Sequence, residues 1–305
     1  MTTAQWFHAQ EKATGFPRSR FLRYLGAIRY REVLVLQGSP LLGAALAMRG
    51  VTASSLGRLA ILAVANLLLV AHVFALNDWG GMADLTSLGD RAWTVTLSGF
   101  KLVEMGWLSI ALLIPSLVLF GIIGLPRLLI ALAIAVLSFA YSAPPLHAKG
   151  IPVLSSTIHL CGGVLHFLLG YSLFTAIDER GIAIAFFFAL SFVAGHLSHE
   201  VRDYDGDRLN GIKTNAVVFG KLPAFVAGLV IFTVAYVQIV VLALLGVLPI
   251  AMAAGLALYP LHLYWSMQAI AEGLTSASVR RLQVRYRALF AMIGIWMIGA
   301  LLIER

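Results

Sequence analysis

Three carboxylates in SHEVRDYDGDRLNGIKT, Ser198 to Thr214, set the chemistry. Glu200, Asp203 and Asp207 stand at i, i+3 and i+7. On a helix that spacing puts all three on one face. Like charges on one face repel, so a bound cation accounts for them better than a fold requirement does. Magnesium takes carboxylate and water oxygens, usually together with a substrate's phosphates. Taken alone, the stretch also reads as a solvated helix end with scattered charge.

A second acidic stretch, ALNDWGGMADLTSLGDRAWTVTLSG (Ala75 to Gly99), offers Asn77, Asp78, Asp84 and Asp90 as oxygen donors, with Arg91 beside them. Gly80 and Gly81 are expected to let the backbone turn there and approach a ligand closely. By itself this stretch is an ordinary Asn/Asp/Gly turn. Paired with the first on one membrane face, it makes a two-cluster cation site. Such a site suits magnesium ions bridging a diphosphate, where the metal offsets phosphate charge and stabilises the leaving group. A third stretch, YSAPPLHAKG (Tyr141 to Gly150), adds a cation, Lys149, suited to a phosphate oxygen, and a hydroxyl donor, Tyr141. Pro144 and Pro145 stop the preceding helix and stiffen its exit. The plainer reading is a rigid inter-helix loop with a snorkelling lysine.

The elements that must position these groups are apolar. The 305 residues are 60% hydrophobic and 12% charged, with mean hydropathy +0.90. A soluble domain carries about 25% charged residues. The chain is therefore an integral membrane protein, and its net charge of +8 speaks first to topology and anionic lipid rather than nucleic acid. The lone Cys161 excludes an internal disulfide and a cysteine-rich metal site. Met1 to Arg31 is a basic leader, expected to anchor at cytoplasmic headgroups. It has no apolar core, so no cleavable signal is expected.

Nine apolar segments follow: 33–48, 56–76, 102–123, 128–141, 153–174, 182–197, 222–245, 248–267 and 288–303. Several approach the ~20 residues a span needs. The short linkers predict an all-α, polytopic bundle of about nine transmembrane helices, one domain over residues 32–305. With the N-terminus inside, the inner segments hold seventeen of the 22 lysines and arginines. The outer ones hold only Arg49, Arg58, Arg127, Arg180 and Arg305. The positive-inside rule thus places the N-terminus and all three motifs on the cytoplasmic side.

The order NDWGGMAD, YSAPPLHAK, EVRDYDGDRLNGIKT on nine predicted spans resembles the UbiA superfamily of intramembrane prenyltransferases, over nearly the whole chain. The family's DxxxD fits Asp203 and Asp207, with Glu200 three residues before; Gly206, Gly211 and Thr214 also fit. His147 stands where a basic arginine is common. The first motif departs: NDxxDxxxD needs acids at 81 and 85, which are Gly81 and Leu85 here, and Asp84 is one residue out of register. The resemblance implies a bundle around a lipid-open cavity, with Mg2+ held by the two acidic motifs and binding a prenyl diphosphate. Ionisation would give an allylic carbocation, which an aromatic or other lipophilic acceptor attacks in a dry cavity. It assigns Asn77, Asp78 and Asp84 to one metal and Asp203, Asp207 and Glu200 to the other. Lys149, Arg202, Tyr141 and Arg91 are assigned to the diphosphate, with Asp78, Asp203, Asp207 and Lys149 as the catalytic set. His199, on one helical side with His196 and Glu200, is expected to line the site.

Two rival functions stay open at this level. One is a terpene cyclase of the same superfamily, in which an internal double bond attacks the cation; the displaced first motif permits it. The other is a lipid-binding or transport protein, which would place its acids near the bilayer midplane. The remaining histidines in spans, His72, His159 and His166, are expected to be neutral and bonded to helix groups. Gly162, Gly163 and Gly170 are expected to permit close helix packing. The run Arg280, Arg281, Arg285 and Arg287 reads as a headgroup anchor.

Overall fold

The computed structural model describes residues 20–87, 100–144 and 146–303, with side chains from residue 24 and not for 84–87. The backbone among these residues is helical. Short helices α1 (Arg20–Ala27), α2 (Tyr30–Leu36) and α3 (Gly38–Ala47) lead into α4 (Ala53–Ser87), α5 (Leu102–Ile123) and α6 (Leu125–Ser142). Then come α7 (Leu154–Tyr171), α8 (Glu179–Leu209), the short α9 (Asn215–Phe219), α10 (Lys221–Leu244), α11 (Tyr259–Ala271) and α12 (Ser276–Ile303). Seven of these, α4 to α8, α10 and α12, are long and apolar enough to cross a membrane.

The other two expected spans are segmented. Residues 30–47 run through α2, Gln37 in helical geometry and α3, which at 1.5 Å per residue reaches about 27 Å. The eighth begins as a 3₁₀ run, Ile250–Leu258, and continues as α11 from Tyr259, with Pro260 in its first turn. The tighter helix rises about 2.0 Å per residue, so the two pieces together reach about 38 Å. Both distances are near the ~30 Å hydrocarbon core. The expected leader boundary at residue 31 falls inside α2.

Helix ends follow local sequence. Pro144 forces Ala143 out of helical geometry, to φ −89° and ψ 138°, and closes α6. α8 opens on Asp178, whose side chain accepts from Gly181 N at 2.7 Å. It closes at Gly211, φ +69°, where Ile212 N donates to Asp207 O and Gly211 N to Arg208 O. That Schellman arrangement stops the helix two residues after Asp207. Thr214 then caps α9 through Val217 N. Gly211 and Thr214 of the acidic motif are therefore structural.

The main core gathers Phe120, Phe167, Leu69, Ile184 and Ile239 from α4, α5, α7, α8 and α10. A second cluster around Phe225, Phe232 and Tyr286 joins α10 to α12. Small residues let backbones meet. A Cβ at Gly163 would lie 2.6 Å from Ala189 Cα, and one at Gly170 would lie 1.7 Å from Pro40 O. Gly162 is looser, its nearest neighbour being Phe192 at 4.0 Å. Some buried polar groups pair across helices: His166 Nε2 meets Asn66 Oδ1 at 2.9 Å, and Asn66 donates to Gln37 Oε1 at 2.9 Å. His72 Nδ1 meets Ser109 Oγ at 2.8 Å.

One local expectation is overturned. Gly80 and Gly81 do not turn the chain, and α4 runs unbroken to Ser87. The reason is packing: a Cβ at Gly80 would lie 2.1 Å from Ser142 O. Gly80 is the point where α4 touches the end of α6, and it approaches a neighbouring backbone rather than a ligand.

Candidate active site

The last turns of α4, α6 and α8 and the first of α7 and α12 meet at one end of the bundle. The Gly80–Ser142 contact fixes the Asp78-bearing stretch of α4 against the end of α6. Beyond Pro144, His147 adopts a left-handed conformation and a single 3₁₀ turn, Ala148–Gly150, presents Lys149. Its Nζ lies 3.8 Å from Asp207 Oδ1 and within electrostatic range of Asp78 and Asp203. Lys149 thus stands between the two acidic motifs.

Each of these carboxylates faces a cation of the protein. Arg202 grips Asp203 bidentately, at 2.8 and 2.6 Å, and donates to Gln283 Oε1 of α12 at 2.9 Å. Asp78 accepts from Arg29, whose guanidinium also lies 5.4 Å from the Phe74 ring centre. Arg29 sits between α1 and α2 in left-handed geometry. Glu32, a turn further on, pairs with Arg287 of α12 at 3.2 Å. Sequence reading assigned Arg29 to a headgroup anchor and did not single out Glu32. Their partners lie 49 and 255 residues away, and no local pattern marks such pairs.

Glu200 has different partners from those expected of a metal ligand. It accepts from His196 Nε2 at 3.0 Å, Asn215 Nδ2 at 3.1 Å, Ser155 Oγ at 3.2 Å and Ala216 N at 3.3 Å. Asn215 Oδ1 in turn receives Val153 N at 2.7 Å. Four donors engage this 5% exposed carboxylate, so it ties α7, α8 and α9 together from beneath the site. His196 stacks on His159, ring centres 3.7 Å apart, and Tyr141 meets His159 edge-on at 4.9 Å. His159 Nδ1 meets Ser155 O at 2.8 Å. Asn77, His199 and the Tyr141 hydroxyl make no hydrogen bond to the described protein. The Asp84 side chain, Asp90 and Arg91 lie outside the described residues.

Do these residues suit magnesium? No three His, Cys, Asp or Glu side chains among the described residues already converge as a metal cage. Magnesium does not need one, since it is usually bound through one or two carboxylates plus phosphate oxygens and water. Asp203 and Asp207 are one turn apart on α8, and Lys149, 3.8 Å from Asp207, is within electrostatic range of Asp78 as well. The negative end of the α8 dipole falls at Asp207 and favours a cation there. The donor set is all oxygen, and so fits that hard cation.

The UbiA prenyltransferase family model matches residues 38–290. Among solved structures, a UbiA homologue from Archaeoglobus fulgidus aligns at TM-score 0.65 and 19% identity, covering 92% of this chain and 99% of the other. The same homologue bound to GPP and Mg2+ aligns at TM-score 0.62 and 17% identity, with the same coverage. A structure described as digeranylgeranylglyceryl phosphate synthase aligns at 0.65 and 16%, covering 92% and 98%. No curated protein matches the chain. At these identities the solved structures speak for the fold, while the family model spans most of the sequence. The chain is a multi-pass membrane protein and belongs to the UbiA prenyltransferase family.

Proposed function

We propose that the protein is a magnesium-dependent intramembrane prenyltransferase, moving an isoprenoid chain from its diphosphate to an aromatic or other lipophilic acceptor. The observation that carries this reading is the position of Lys149 between two carboxylate motifs at one end of an apolar bundle. A diphosphate needs cations at the water edge, and its tail needs an apolar slot. The solved relatives titled as bound to GPP or DMAPP with Mg2+ support the donor class.

Asp203, Asp207 and Asp78, with Asn77, would hold the metal, which when bound neutralises diphosphate charge and stabilises it as leaving group. Lys149 binds a phosphate oxygen directly. Arg202 and Arg29, paired here with Asp203 and Asp78, would be free to bind the phosphates if a metal held those carboxylates, so charge would be exchanged rather than added. Tyr141 and His199 line the approach. Glu200 holds the floor and is not a ligand. Water is kept from the carbocation by the surrounding apolar helices. A second reading, cyclisation of the prenyl diphosphate alone, is favoured by Gly81 and Leu85 standing where acids are expected. Acids clustered at one end rather than at mid-membrane argue against a transporter.

The deciding experiment incubates purified protein and Mg2+ with a panel of prenyl diphosphates, with and without lipid extract, and reads products by mass spectrometry. A product containing both substrates is expected. A hydrocarbon or alcohol from the diphosphate alone would shift the reading to cyclase, and no turnover would overturn both. The acid-rich end faces the cytoplasm on the charge count. Cysteines at residues 146–150 and 210–213, introduced without the exposed Cys161, should label from that side. Labelling only from outside would reverse the topology.

A further inference from the structure

The opposite end of the bundle is built from arginines. Arg49 follows α3, Arg58 lies in the second turn of α4, and Arg127 and Arg180 lie in the first turns of α6 and α8. Two of the four are committed to the fold. Arg127 donates to Ile123 O and, at 3.0 Å, to Ser172 O. Arg180 Nε donates to Val247 O at 3.0 Å. The side chains of Arg49 and Arg58 have no hydrogen bond or ion pair among the described residues. Arg58 only lies over the Phe174 ring, 5.3 Å from its centre.

These two cations line one cleft of about 270 Å³ together with Thr52, Ser54 and Phe174. Arg49 also borders an adjoining cleft of about 710 Å³ whose apolar wall includes Leu46, Leu248 and Leu301. Among the described residues, the one carboxylate in the larger cleft, Asp178, is already occupied by Tyr171 Oη at 3.0 Å and Gly181 N at 2.7 Å. Arg58 and Arg127 are close enough to repel each other. Among the described residues Arg49 and Arg58 have no acidic partner, so their charge stands unpaired at a membrane edge. Guanidinium groups match phosphate oxygens in charge and geometry.

We propose that Arg49 and Arg58 bind the phosphate group of an anionic phospholipid. The headgroup fills the smaller cleft, and the acyl chains run over the apolar wall of the larger. The site lies at the far end from the acidic motifs and does not depend on what reaction they perform.

The test uses full-length, delipidated protein in detergent. It is mixed with phosphatidylglycerol, phosphatidylcholine or inorganic phosphate, and retained ligand is read by native mass spectrometry. Wild type should keep phosphatidylglycerol in preference to phosphatidylcholine. Arg49→Ala/Arg58→Ala should lose it by roughly tenfold or more, while Arg208→Ala/Lys213→Ala, both exposed at the other end, should not. Inorganic phosphate that binds and is lost in the same double variant, with no lipid retained, would keep the phosphate site and overturn its lipid source. Equal lipid retention by wild type and the Arg49/Arg58 variant would overturn the proposal. Should that variant not fold, a photoactivatable phosphatidylglycerol on wild type decides. Crosslinks to residues 48–58 and 174 support the site, and crosslinks confined elsewhere refute it.

Discussion

The two acidic motifs are built on opposite plans. The one on α8 is set mainly by local sequence: Asp203 and Asp207 share a helix face, the helix ends two residues later at Leu209, and Arg202 holds Asp203 from the adjacent position. The one on α4 is incomplete in sequence and finished by the fold. Asp78 stands without acids at positions 81 and 85, deep in a 35-residue helix, and its cation arrives from Arg29, 49 residues away. A helix end can specify a cation site by local spacing alone. A site on the body of a helix has to borrow groups from its neighbours.

The sharpest way to break that contrast is to remove the α8 carboxylates. Asp203→Asn and Asp207→Asn should each cut turnover by at least about a hundredfold, because a lost charge on a metal-diphosphate site acts on the leaving group directly. The proteins should still purify as monodisperse species. Excess chelator should do the same to wild type, and full activity in either asparagine variant would remove the metal from the mechanism.

Arg29→Ala probes the borrowed half. If Arg29 passes from Asp78 to the diphosphate, its loss should raise KM for the donor by about tenfold, the worth of one charge-assisted contact. Asp78, freed of its competitor, should need no more magnesium than before. A KM equal to that of wild type would leave Arg29 a structural latch for α2.

Glu200 separates support from ligation. Glu200→Gln keeps the shape but turns an amide N–H₂ toward the donors of Asn215 and Ser155. A buried group left mismatched costs about 1–3 kcal/mol. A lower unfolding temperature in detergent with an unchanged magnesium requirement is expected. A raised magnesium requirement at unchanged stability would return Glu200 to the ligand set.

These outcomes bear on how much of the molecule its sequence makes legible. Apolar runs of about span length marked α4 to α8, α10 and α12, because hydrocarbon demands continuous apolar helix. Pro144 marked the end of α6 for an equally local reason. The spacing of Asp203 and Asp207 and the cation at Lys149 were legible as well. Glu200 carried the same signal as its neighbours on the helix face, yet its fate is set by Ser155 and Asn215 on other elements. Arg29 looked like any basic residue of the leader. Gly80 looked like a turn glycine, and only the presence of Ser142 across from it shows why the helix continues. What could not be read was in each case a tertiary partner.

The finest distinction lies between two adjacent glycines of α4. At Gly80 a Cβ would meet Ser142 O at 2.1 Å, whereas at Gly81 nothing among the described residues lies within 4 Å. The partner at Gly80 is backbone and cannot rotate away, so Gly80→Ala should push α4 off α6 and cost about 1–3 kcal/mol. Gly81→Asp meets no described residue, in a helix that prefers most side chains to glycine. It also restores a carboxylate three residues after Asp78, which helical geometry places on nearly the same side. Folding should be undisturbed. The magnesium concentration for half-maximal rate should fall by a factor of about two to five, since the new acid faces a cation site that already holds Asp78. The readout is a magnesium titration of wild type beside Gly81→Asp, with unfolding temperature measured on the same preparations. A lower magnesium requirement would show that the first motif lost an acid without losing the room for it. An unchanged requirement with an intact fold would show that the metal at this end sits out of reach of position 81, leaving Asn77 and Asp78 to hold it on their side.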